Sequence, residues 1–289
     1  VPGGVDTSQQ PPMAVPLRHF LVGLGFLLVG LAAGLLDALG LAPGLGRLAH
    51  VHLLLVGWVA LTIMGAMTQF VPVWSGVGLY SRRLATAELW LVVAGLLGFV
   101  TALWTGRLDL APVGAAVLLL GFWAFIYNLA RTLVAAGVED VTERHFGLAL
   151  GFFFVATALG FTLATDFAVP FLADVGTARA NVVGAHVTLA VFGGVLTTVV
   201  GALYQLATMF TQTDLRRLDG VLQRGESVAY PVGVATLAFG RLVGDVAIAR
   251  VGGLLVAAGL LAVAVVVARR LWFARVEWNP MHSRYAVVA

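Results

Sequence analysis

Six histidines carry most of the chemistry open to this chain: His19, His50, His52, His145, His186 and His282. There is no cysteine, and all 17 basic residues are arginine. Without thiols, disulfides, iron–sulfur clusters, thiolate haem ligands and cysteine zinc sites are excluded. A metal or haem must then rest on His, Met, Tyr or carboxylates. His50 and His186 stand in matching contexts, Ala49-His50-Val51 and Ala185-His186-Val187. Two opposed imidazoles from different helices are the axial ligand set of a b-type haem. Gly57 and Gly193 each follow by seven residues, about 20° from the histidine direction on an α-helix. That predicts a side-chain-free strip against which a flat macrocycle lies. His52 has no counterpart, since Thr188 takes its place. Two residues turn a helix by about 200°. His52 therefore faces away from His50: it serves a second site, replaces His50 as the ligand, or hydrogen-bonds at the membrane surface.

His19 and His145 form another matching pair, within Arg18-His19-Phe20 and Arg144-His145-Phe146. An Arg-His-Phe opening reads first as an interfacial anchor, with the guanidinium snorkelling to headgroups. The alternative is a second haem on the inner side. His282, in a polar C-terminal stretch, has no expected role. Arg47 and Arg179, with Arg107 and Arg250, fall at the level where haem propionates would emerge, and arginine pairs well with carboxylates. Trp58, Trp74, Trp104 and Phe192 either wall a pocket or belong to packing and the aromatic belt. Gln69, Gln205 and Tyr204 are polar groups deeper in otherwise apolar stretches, bonding across helices or marking a polar path.

The elements that must hold these residues are membrane helices. Apolar residues make up 60% of the 289, charged residues 11%, and mean hydropathy is +0.98. A soluble domain carries roughly 25% charged residues, so a water-soluble globule and a nucleic-acid-binding role are excluded. Apolar runs of about 20 residues predict eight spans: 17–38, 48–72, 86–105, 110–134, 145–168, 180–210, 228–249 and 251–273. In the seventh, Arg241 and Asp245 are one turn apart, so they form an ion pair or the helix stops at Gly240. Residues 1–16 read as a flexible tail and 276–289 as a C-terminal tail; the first span directs insertion and stays. Arginines crowd one side (Arg82, Arg83, Arg216, Arg217, Arg269 and Arg270 among them) over the other (Arg47, Arg107, Arg179, Arg241, Arg250). The positive-inside rule then makes both termini cytoplasmic. This is the cytoplasmic membrane of a prokaryote, with the His50 and His186 layer near the outer face.

The chain also repeats itself. Residues 18–36 align with 144–162, and 49–73 with 185–209, the second alignment pairing Gly57 with Gly193, Gly65 with Gly201 and Gln69 with Gln205. The predicted fold is all-α: a polytopic membrane protein of eight transmembrane helices, arranged as two parallel four-helix repeats over 17–138 and 139–275. A pseudo-twofold axis along the membrane normal would relate them.

The run His50-Val51-His52, then Gly57-Trp58-Val59, Gly65, Gln69 and Pro72, resembles the tenth helix of the catalytic subunit of haem-copper oxidases, the cbb-type most of all. It is also similar to haem- and copper-containing membrane proteins of nitric-oxide stress. The resemblance implies a haem b, or two, with His50 at a high-spin site, His52 at a low-spin one, and His186 as the natural partner. It covers about 25 residues and their echo. The copper site of the oxidases needs further histidines, including an adjacent pair, which this chain lacks; copper and dioxygen reduction are not implied.

The reading is a b-type haem membrane protein that transfers electrons or binds a diatomic gas such as nitric oxide or dioxygen. Its partners would be membrane lipid, an electron-donor protein or quinol, and a second copy of itself. The competing readings are a transporter or channel with its site at the repeat interface (Thr62 and Thr198 with the glutamines), and a copper or zinc site on His50, His52 and His186. The transporter reading is weakened by the expectation that the first six spans hold no intramembrane carboxylate.

Overall fold

A computed structural model describes residues 7–137, 140–213, 215–274 and 280–288, and among them every regular element is helical. The long elements are α1 (Ala14–Ala38), α2 (Gly46–Ser75), α3 (Arg82–Thr105), α4 (Ala111–Ala136), α5 (Val141–Ala168), α6 (Arg179–Thr211), α7 (Arg217–Val243) and α8 (Val246–Trp272). A short α9 (Pro280–Val288) follows. The expected tail 1–16 is helical from Ala14, with a short turn at Thr7–Gln9; residues 1–6 lie outside the described residues. The expected C-terminal tail is helical over α9, and 275–279 lie outside the described residues.

Seven helices among the described residues are long and apolar enough to cross a membrane: α1 to α6 and α8, with Leu108 opening the fourth. The protein is thus an integral membrane protein by length and composition. The eighth expected span is α7, a helix of 27 residues. Arg217, Asp219, Arg224 and Glu226 crowd its first turns and bring its hydropathy below that of a span. Neither expectation for its end holds. The helix runs past Gly240 to Val243 and is closed by Gly244 at φ 75°. Arg241 donates to Thr188 Oγ1 at 2.8 Å, while Asp245 caps α8, accepting from Ala247 N and Ile248 N.

The described residues fall into two compact units: residues 7–137 with 153–183, and residues 140–152 with those from 184 onward. Helix α5 gives its first half to the second unit and its second half to the first. In the first unit, α1 shows why these are membrane helices. Leu21, Leu24, Leu28, Leu31 and Leu35 are exposed along one stripe at three- and four-residue spacing, and His19, Gly23, Phe26, Gly30 and Ala33 are buried on the other. Exposed leucines in a row are what lipid, not water, accommodates. Helices α3 and α4 cross in near backbone contact. A Cβ on Gly95 would lie 2.3 Å from Leu118 N, and one on Gly114 2.4 Å from Phe99 N. In the second unit α7 and α8 do the same, with Gly233 against Val256 N at 2.7 Å and Gly252 against Leu237 N at 2.2 Å. Small residues let membrane helices approach this closely.

Two helices are not α throughout. Leu53–Ala60 of α2 and Leu189–Leu196 of α6 are π-helical, each eight residues long. The segments start one residue after His52 and three after His186. Such bulges are rare and recur at functional sites.

Candidate functional site

The π-helix corrects the expected geometry below the histidines. The estimate that Gly57 points about 20° from His50 assumed α-helical turns throughout, and the wider turns begin at Leu53. The strip beside each glycine is also filled. A Cβ on Gly57 would lie 2.6 Å from Phe26 Cγ, and one on Gly193 2.7 Å from Phe152 Cβ. An aromatic side chain of the preceding helix packs onto each glycine where an open strip was expected.

His50, His52 and His186 are half-buried, His50 and His52 in the first unit and His186 in the second. His50 Nδ1 bonds to Gly30 O of α1 at 2.8 Å. His52 Nδ1 bonds to Leu48 O, one turn back, at 2.9 Å. A carbonyl oxygen only accepts, so in both rings Nδ1 carries the proton and Nε2 is left with its lone pair. That is the tautomer of an imidazole binding a metal through Nε2, and a backbone carbonyl is a usual anchor for it. The His50 ring lies against Gly34, where a Cβ would come within 2.5 Å of Cε1. The His52 ring meets Phe99 edge-on, centroids 5.1 Å apart.

Arg47 is exposed beside a shallow recess of about 430 Å³, lined also by Asp37, Gly46 and Leu48. Arg179 stands on a similar recess of about 370 Å³ between α5 and α6. It is engaged: Nη1 donates to Asp166 Oδ2 at 2.6 Å and the guanidinium lies over the Phe167 ring. Arg107 pairs with Asp109 at 3.0 Å. Trp74 stacks on Phe70, and Trp58 is more than one-third exposed. Gln69 and Gln205 are both buried.

At the other end of these helices are His19 and His145, both fully buried. Exposed headgroup anchors would not be buried, so the anchor expectation is corrected for the two imidazoles. A Cβ on Gly65 would touch His19 Cβ at 2.7 Å, and one on Gly201 would touch His145 Cβ at 2.8 Å. Gly201 is fifteen residues beyond His186, about 22 Å along the helix. His145 Nδ1 donates to Val141 O at 2.7 Å, and its Nε2 is 3.2 Å from Glu226 Oε1. Tyr204 OH donates to Glu226 Oε2 at 2.8 Å. The site is closed by α9, where His282 is buried and Tyr285 OH donates to Leu203 O. Burial raises the Tyr285 phenol above its ordinary value.

Glu226 is one of two residues the sequence reasoning missed; the other is Glu88, equally buried in α3. The expectation of no intramembrane carboxylate in the first six spans is therefore corrected. The available signal was position: each glutamate lies within ten residues of an arginine cluster, and that passed for a solvated helix end. Helical phase puts it on the buried side. Among the described residues no three or more His, Asp and Glu are grouped as a metal site.

No protein-family model matches the chain. Over 81 residues, 28% of its length, it is 30% identical to a cytochrome c oxidase subunit 1 homolog, bacteroid, from Bradyrhizobium diazoefficiens. The match spans 15% of that relative. It supports a partial likeness to subunit 1 of the oxidases.

Proposed function

We propose that this chain is a b-type haem-binding integral membrane protein related to haem-copper oxidase subunit 1, acting in electron transfer or in binding a diatomic gas. The observation that carries the reading is the tautomer of His50 and His52. Each has Nδ1 tied to a backbone carbonyl, which leaves Nε2 as the basic nitrogen. Bound haem would supply one-electron chemistry and, with one axial position open, a site for nitric oxide or dioxygen. The chain's own part is to offer imidazoles (His50, His52, His186), to fix the tautomer of the first two, and to shield the iron with apolar helices. Gly57 and Gly193 seat the aromatic rings beside them. Arg47 and Arg179 are the cations proposed for the propionates.

The stretches 17–138 and 139–275 are proposed copies of one ancestral four-helix unit. Phe26 meets Gly57 as Phe152 meets Gly193, and His19 meets Gly65 as His145 meets Gly201. The glycine contacts of α7 with α8 match those of α3 with α4. That supports α7 as an eighth span; an even count puts both ends of the bundle on one side, and the arginine excess there is the support for that side being the cytoplasmic face of a prokaryotic membrane.

The test is an absorption spectrum of purified protein produced with adequate haem, oxidised and dithionite-reduced, with and without carbon monoxide or nitric oxide. A Soret band lost in His186→Ala is expected. Reduced peaks that ignore the gas mean two protein ligands; peaks that shift mean an open position. Absence of any Soret band overturns the reading. A transporter is the second reading, favoured by the buried Glu88 and Glu226, which supply the intramembrane carboxylates that coupling to ions requires.

A further inference from the structure

Glu88 has no role in the haem-binding reading. It sits in the second turn of α3, fully buried, and neither carboxyl oxygen has a hydrogen-bond partner among the described residues. The polar side chain set against it is Asn128 of α4. One Nδ2 hydrogen of that amide donates to Ser81 O at 3.0 Å and Oδ1 accepts from Ser81 N at 2.9 Å; the second Nδ2 hydrogen, a neutral donor that brings no countercharge, remains for Glu88. His19 of α1 is buried too, its Nδ1 donating to Val15 O at 2.9 Å and its Nε2 without a partner. Arg82 and Arg83, the cations of α3 itself, are exposed. No ion pair among the described residues reaches Glu88.

The second unit shows what a buried glutamate looks like when its charge is provided for. His145 Nδ1 donates to a carbonyl, so the 3.2 Å contact of Nε2 with Glu226 requires one shared proton. Tyr204 donates to the other oxygen. Glu226 is neutralised internally and both its oxygens are satisfied. Tyr204 lies three residues beyond Gly201, and Thr68 lies three beyond Gly65. The Thr68 hydroxyl is turned back to Met64 O at 2.6 Å, so no phenol serves Glu88. An ionised carboxylate without a countercharge inside apolar helices is strongly disfavoured, whereas a carboxylic acid carries no charge.

We propose that Glu88 is a single-proton binding site of the first unit, filled in the resting protein and exchanging with water. The bond formed is O–H on one carboxyl oxygen, the proton comes from hydronium, and no electrons are transferred. The geometry of the first unit alone supports this, and no bound cofactor is needed.

The test is infrared spectroscopy of the full chain in lipid nanodiscs at neutral pH. A protonated-carboxyl C=O band is expected, shifted in D2O, lost in Glu88→Gln and kept in Glu226→Gln. A wild-type spectrum without a protonated-carboxyl band, or one from which Glu88→Gln removes no intensity, overturns the proposal; any part lost only in Glu226→Gln belongs to the proton shared with His145. Should Glu88→Gln fail to fold, Glu88→Asp decides: a shorter acid in the same pocket moves the band, and an unmoved band overturns it. Changing sodium at constant pH leaves the band unaltered. Sodium-dependent loss would make the occupant a metal cation and overturn the proposal.

Discussion

The two units share their packing and differ in what fills it. Each lays a phenylalanine on a glycine beside a π-helical segment, and each lays a buried histidine on a second glycine. Around that common frame the second unit is wired with hydrogen bonds. Tyr230 OH donates to Phe192 O at 2.6 Å, and Thr197 donates to the same carbonyl at 3.1 Å. A π-helix breaks the regular backbone ladder, and in the second unit side chains bond to a carbonyl within it. Arg241 donates to Thr188. In the first unit, a matching glycine contact puts Val92, apolar and buried, where Tyr230 stands: Val92 meets Gly121 as Tyr230 meets Gly259. The first unit instead carries the extra histidine, His52, and unsatisfied acceptors on His19 and Glu88. Packing tolerates such divergence because backbone approach depends on glycines; the polar filling is free to change once the glycines stay.

The largest effect should fall on that common frame. Gly95→Val in the first unit and Gly233→Val in the second each drive a side chain into the backbone of the facing helix. Overpacking costs about 1–3 kcal/mol and occasionally more, and backbone cannot move aside as a side chain can. Thermal unfolding in detergent should show both variants destabilised by about 3 kcal/mol. Gly25→Val, where nothing lies within 4 Å, should stay close to wild type. A large loss in one unit alone would mean the frame is not shared.

A smaller effect should separate the polar fillings. Tyr204→Phe removes the donor to Glu226 Oε2 and leaves a buried acceptor unpaired, a loss of about 1–3 kcal/mol. Thr68→Val, its positional counterpart, removes only a hydroxyl bonded to its own helix, and should cost less than about 1 kcal/mol. Chemical unfolding of the two variants side by side measures the gap. Equal losses would erase the asymmetry.

The helices were legible in the sequence because lipid demands about 20 apolar residues in a row. At α7 the same criterion found only the apolar half: the expected span 228–249 misses the charged turns from Arg217 and overruns the end at Val243. His50, His52 and His186 were legible as polar exceptions in apolar runs. Glu88 and Glu226 were not, because a carboxyl near a helix end reads as solvated unless the packing partner is known. His145, Glu226 and Tyr204 come from three helices and up to 81 residues apart, so no local pattern could join them. The π-helices were also invisible: Leu-Leu-Leu-Val-Gly-Trp-Val-Ala has no local feature that distinguishes π from α, and its wider turn shifted the side chains that α periodicity had placed.

The smallest expected effect concerns His50 alone. Its Nδ1 bond to Gly30 O brings the ring flat onto α1, and this is possible only because residue 34 lacks a side chain. A Cβ there would lie 2.5 Å from Cε1 and 2.7 Å from Nδ1. The ring is the end of a flexible side chain, so it can swing away at the cost of one hydrogen bond, about 1 kcal/mol. Gly34→Ala should therefore fold and lose little stability, while the ring loses the contact that fixes its tautomer. If His50 faces the iron, the variant shifts or broadens the Soret band and leaves the His52 contribution in place. An unchanged spectrum in Gly34→Ala together with a lost one in His52→Ala would assign the iron to His52 and leave His50 as a packing residue of α1.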